Sequence, residues 1–136
     1  MIGVLVVTHG NVAAELTAAG RRIVAREVPL VALALDWDDD VVEARRQIAD
    51  AIASVDRGRG VLILTDMFGG TPTNLAMTFY APGKVEVVTG VNLPMLVKAL
   101  TLKEDAALAQ AAQLLADKGR SAISVAGTLL GTHGED

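Results

Sequence analysis

The segment IGVLVVTHGNVAAELTAAGRRI, residues 2–23, changes its hydrophobic period half-way along. From Ile2 to Val7 it is apolar and rich in β-branched residues, interrupted only by Gly3. A strand buried on both faces needs such a run. Beyond Gly10 the apolar residues Val12, Leu16, Ala19 and Ile23 fall at offsets of four, three and four, which places them on one helix stripe. The segment therefore reads as a strand over 2–8 and a helix over 12–26, with Thr8-His9-Gly10 at the junction.

The same alternation runs through the rest of the chain. VPLVALAL (28–35) predicts a second strand, and the acid cluster DWDDD (36–40) follows it directly. Asp40 and Glu43 have capping-box spacing, and Val41, Ile48, Ile52 and Val55 give the next helix a buried stripe. GVLILTD (60–66) predicts a third strand, MFGG a turn, and Thr71-Pro72 an N-cap with proline at the first helical position, opening a helix to about Tyr80. KVEVVTG (84–90) is a fourth strand, more alternating and suited to an edge. Asn92 can cap a short helix containing Leu96, Val97 and Leu100; an Ala-rich helix spans about 104–118, and SAISVAG (121–127) reads as a last strand.

Alternating strands and helices imply parallel neighbours joined by crossovers. The expected fold class is α/β: a doubly wound, mostly parallel sheet of about four strands plus a C-terminal strand, with helices on both faces. One domain is expected over 1–130, with a disordered polar tail over 131–136.

Composition narrows the function. A chain of 136 residues with 51% hydrophobic content suits one core. Twelve basic residues against 16 acidic give a net charge of -4, no basic stripe forms, and the aromatic residues are only Trp37, Tyr80, Phe68 and Phe79. Nucleic acid is therefore not expected as a partner. Without cysteine there are no disulfides, thiolate metal sites or thiol chemistry, as suits a reducing compartment. MIGVLVV lacks a basic leader and is too short to span a membrane, so a cytoplasmic protein is expected. The mean hydropathy of +0.42 suggests apolar surface covered by a second subunit.

In an open α/β sheet, ligands bind beyond the carboxyl ends of the strands. Three segments bring polar residues there: Thr8-His9-Gly10, Asp66 to Asn74, and Gly90-Val91-Asn92. His9 is the candidate; His133, fourth from the end, reads as a solvated tail residue. If the first and third strands are neighbours, an Asp66 carboxylate can accept a hydrogen bond from the His9 ring, leaving the other ring nitrogen with its lone pair as nucleophile or base. The glycine pair and the helix start at Thr71-Pro72 offer backbone N–H groups to an anion such as a phosphoryl group, though the same residues also make an ordinary turn. These loops hold no Lys or Arg, and the P-loop Lys-Ser/Thr pair is missing, so nucleotide triphosphate hydrolysis is disfavoured. Asp36, Asp38, Asp39 and Asp40 invite a magnesium reading, but capping and helix-dipole matching explain them better. Neither metal nor cofactor is expected.

VVTHGNVA, LTDMFGGTPTN and VTGVNLPMLVKAL resemble, in order, three signature segments of the mannose-family IIA domain of the bacterial phosphoenolpyruvate-dependent sugar phosphotransferase system. The similarity spans about residues 1–126. It implies a phosphocarrier in sugar uptake or its regulation, with His9 phosphorylated on Nε2, Asp66 beside it, and Phe68, Gly69, Gly70 and Thr71 contacting the phosphoryl group. It further implies HPr as donor, a separate IIB protein as acceptor, since the chain ends where an attached IIB domain would follow, and a homodimer exchanging the strand 121–127. Two other readings stay open on the residues alone: a receiver-like domain phosphorylated on Asp66, and a non-catalytic regulatory module that binds an anion or a protein.

Overall fold

The computed structural model describes residues 1–35 and 40–131. The elements are β1 (Gly3–His9), α1 (Val12–Ile23), β2 (Leu30–Leu35), α2 (Val41–Val55), β3 (Val61–Thr65), α3 (Thr71–Met77), β4 (Val85–Val88), α4 (Leu93–Leu100), α5 (Leu108–Ser121) and α6 (Ala126–Leu129). The apolar run that opens the chain becomes an interior strand: Val4 to Val7 are fully buried, with β2 on one side and β3 on the other. The sheet order is β2-β1-β3-β4, and every pairing is parallel. Side chains alternate across it: Val4, Val6, Leu62 and Leu64 join the core under α1, α4 and α5, while Leu5, Val7, Val61 and Ile63 join the one under α2 and α3. Helices thus cover both faces, as a doubly wound sheet requires. Strand order reverses between β1 and β3, which is where such sheets bind ligands.

Three expectations need correction. First, the apolar stripe of α1 faces the core only in part: Leu16 packs against it, but the ends of the stripe do not. Val12 and Ile23 are 46% and 58% exposed, and the buried positions are Ala13, Thr17 and Gly20. A Cβ on Gly20 would stand 3.0 Å from Leu96 and 3.2 Å from Leu100, so the close approach of α1 to α4 admits small side chains only. In α2, likewise, Val41 is exposed and Ala44 takes the inward place beside Ile48 and Val55.

Second, residues 121–127 do not form a strand. Ser121 ends α5, residues 123–125 pair with neither sheet edge, and α6 follows. Strand propensity needs a ladder partner, and residues 123–125 join no strand of the sheet. It stays apolar and exposed, with Ile123 at 76% and Val125 at 71%.

Third, helix bounds shift. α1 ends at Ile23 rather than Arg26, and α5 begins at Leu108 rather than near 104. In the latter case the Asp105 and Ala106 carbonyls accept from the Arg59 guanidinium, and Ala107 is extended. Residues 132–136, with His133, and the acids Asp36, Asp38 and Asp39 lie outside the described residues.

Candidate functional site

β1 delivers His9 to the carboxyl edge of the sheet, and β3, its parallel neighbour, delivers Asp66. Val7 lies opposite Thr65, so the two loops leave adjacent strands in register. Asp66 Oδ2 accepts from the His9 backbone N–H at 2.9 Å and meets His9 Nδ1 at 2.8 Å. The other oxygen, Oδ1, accepts from the Met67 N–H at 3.0 Å. An ionised carboxylate can only accept, so Nδ1 must be the donor, and the neutral ring then carries its lone pair on Nε2. The expected pair is present, and its tautomer follows from it.

Asp66 is partly buried, and burial alone pushes its carboxyl pKa up. The His9 backbone N–H, the His9 ring and a backbone amide of its own loop stabilise the anion and outweigh that effect, so the pKa lies below the ordinary value. A depressed folded-state pKa contributes stability above the unfolded value of about 3.9, and that contribution is lost as pH falls through the folded value. The wild-type advantage over Asp66→Asn should therefore hold from neutrality to about pH 4 and shrink below it. Urea unfolding at stepped pH measures this; a gap constant down to pH 2.5 would contradict the assignment.

The glycine loop reaches the opposite edge of the ring. A Cβ on Gly70 would stand 2.6 Å from His9 Cε1 and 3.1 Å from Nε2, so only a bare backbone fits beside that edge of the ring. Gly69, at φ +90°, makes the turn. Gly70, not Thr71, is the N-cap of α3; Thr71 and Pro72 are its first two residues. Phe68, in the loop after Asp66, is 72% exposed, and Thr71 is exposed as well. Asn92 proves structural. Its side chain accepts from the Met95 N–H and donates to the Gly119 carbonyl, tying α4 to α5.

The hydrogen-bonding roles of three buried threonines, Thr8, Thr65 and Thr73, were not evident from the sequence. Thr8 Oγ1 accepts from the Ala13 N–H at 2.7 Å, steadying the turn that carries His9. Thr65 and Thr73 join their hydroxyls at 2.7 Å beneath the glycine loop. The available signal was a hydroxyl-bearing, β-branched residue at the end of each buried strand and in the first turn of α3. Among the described residues, no group of three His, Cys, Asp or Glu could hold a metal ion, and no helix is long and apolar enough to cross a membrane.

The sequence model of the EIIA-man family, described as "PTS system fructose IIA component", matches residues 3–115. The chain belongs to the EIIA-man family. It is thus a IIA component of the sugar phosphotransferase system. A fructose-specific EIIA component from Bacillus subtilis (strain 168) is 32% identical over 109 residues, covering 79% of this chain and 75% of that protein. The mannose-specific EIIAB component of Escherichia coli (strain K12) is 28% identical over 105 residues, 76% of this chain but only 32% of that longer protein. Among solved structures, the mannose/sorbose-specific IIA subunit from Enterococcus faecalis superposes with a TM-score of 0.80 at 25% identity, covering 91% of this chain and 93% of that one. The PTS IIA protein associated with the fucose utilization operon from Streptococcus pneumoniae gives 0.83 at 24% identity, over 95% and 96%, and shows the shared EIIA-man fold.

Proposed function

We propose that this EIIA-man chain is a phosphocarrier, and that residues 1–130 act as one cytoplasmic IIA domain. His9 accepts a phosphoryl group from the histidine of HPr and passes it to a separate IIB protein, in sugar uptake or its regulation. The observation that carries this reading is the Nδ1 contact with Asp66, combined with a side-chain-free backbone at the Nε2 edge.

The chemistry asks little of the protein. The Nε2 lone pair attacks phosphorus in line, a P–N bond forms on His9 as the donor's P–N bond breaks, and the electron pair of the broken bond stays on the donor nitrogen. No base is needed, because a neutral imidazole has no proton to lose at the attacking atom. The ring gains positive charge as Nε2 bonds to phosphorus, and the Asp66 carboxylate at Nδ1 offsets it. Phe68, Gly69, Gly70 and Thr71 border the space the phosphoryl oxygens would enter, and backbone N–H groups are the only donors that Gly69 and Gly70 can supply. Transfer onward reverses the same steps, since one imidazole resembles another. Incubation with phosphoenolpyruvate, enzyme I and HPr should place one acid-labile phosphoryl group on His9; an unlabelled protein would end this reading.

The exchanged strand belongs to the same proposal. Ile123, Val125, Leu129 and Leu130 are each more than 70% exposed, a cost a second copy would remove by pairing 121–127 with its own sheet. Sedimentation should give a dimer at micromolar concentration, and a monomer there would contradict the exchange.

A further inference from the structure

Thr73 is the third residue of α3 and is wholly buried, as is Thr65, which closes β3. Their hydroxyl oxygens lie 2.7 Å apart, and Thr73 Oγ1 also contacts the Met67 carbonyl oxygen. Each hydroxyl has one proton, and a carbonyl can only accept. Thr73 must therefore donate to Met67, and Thr65 must donate to Thr73. The relay runs one way, from Thr65 through Thr73 to Met67, and its two ends are the residues on either side of Asp66.

Between Asp66 and α3 the loop buries no side chain of its own. Met67 and Phe68 are 56% and 72% exposed, Gly69 and Gly70 have no side chains, and Pro72 has no N–H to offer. From the far side, the Thr65 carbonyl accepts from the Val91 N–H at 2.8 Å, which anchors the strand end itself.

We propose that Thr73 is a positioning residue for the His9–Asp66 pair: its hydroxyl ties the Thr65 side chain, just before Asp66, to the Met67 main chain, just after it, and so fixes where the carboxylate meets Nδ1. A buried hydroxyl that merely satisfied its own hydrogen bonds would affect stability alone. A clamp affects which ring nitrogen holds the proton.

The test uses the full-length chain with His133→Gln, which leaves one imidazole, and compares Thr73→Val with Thr73→Ser. Nitrogen-15 spectra of the unphosphorylated protein read the tautomer, and labelling from phospho-HPr reads the rate. The valine variant should shift population toward the Nε2–H tautomer and slow labelling roughly tenfold, because small misplacements of reacting groups cost that much or more. The serine variant, which keeps the hydroxyl, should match wild type in both. Wild-type tautomer and rate in Thr73→Val would overturn the proposal, and so would equal impairment in both variants, which would assign the effect to disturbed packing around residue 73 rather than to its hydroxyl. If Thr73→Val does not fold, Thr65→Val interrupts the same relay and is read in the same way. The rate arm rests on the phosphocarrier reading and the spectra do not, so a wild-type protein that takes no label removes that reading while the tautomer still decides on Thr73.

Discussion

His9→Ala should reduce phosphoryl acceptance from phospho-HPr to background, a loss of at least about 10³-fold, while leaving the fold intact. The loss follows from chemistry: alanine has no nucleophile, and no second imidazole stands at this edge of the sheet among the described residues. The fold should survive because much of what holds the turn is main chain. The backbone N–H at position 9 still donates to Asp66 Oδ2, Met67 still serves Oδ1, and Thr8 still receives the Ala13 N–H. Asp66 therefore keeps partners when the ring is gone. Labelling and thermal unfolding should be measured on the same preparation, with the melting temperature within a few degrees of wild type. Label that persisted in the variant as an acyl phosphate on Asp66 would transfer the function to the carboxylate and favour the receiver reading.

Gly3→Ala should give the largest stability loss, about 3 kcal/mol or more, although it lies outside the site. A Cβ there would stand 2.2 Å from the Val55 carbonyl oxygen and 2.8 Å from its carbon, distances no rotamer change can relieve because both atoms belong to the backbone. Neither side can retreat. β1 is hydrogen-bonded on both flanks, and α2 is held by Ile48 and Val55, which are fully or almost fully buried. Since a domain's whole stability is typically about 5–15 kcal/mol, the change removes a large share of it. A urea midpoint near that of wild type would mean that α2 can shift where its packing says it cannot.

The parts of the fold legible in the sequence were those governed by period and composition. An apolar, β-branched run of this length reads as a strand, and four of them separated by helical segments allow few arrangements, so β1 to β4 and the helices between them followed. The His9–Asp66 pair was legible for the same reason: adjacent strands must present their end residues together. The α1 stripe misled because a helix packed tightly on another turns its small residues inward, and size selection leaves a weak mark on a hydrophobic pattern. SAISVAG misled because strand character is a property of a pairing, which one chain's residues do not reveal. The threonine relay stayed hidden because hydroxyl contacts depend on three-dimensional approach, and no spacing rule marks Thr65 and Thr73 as neighbours.

The strand order β2-β1-β3-β4 has a consequence for biosynthesis. Each strand, as it leaves the ribosome, finds its neighbour already made: β2 docks on β1, β3 on the other flank of β1, and β4 on β3, so the sheet can grow outward without waiting for later sequence. His9 is made with the first strand, yet its acid partner is 57 positions further on and cannot arrive until the third strand seats. A nascent chain halted before residue 66 would carry the imidazole with no carboxylate at Nδ1, so the pair is assembled only after the third strand has seated.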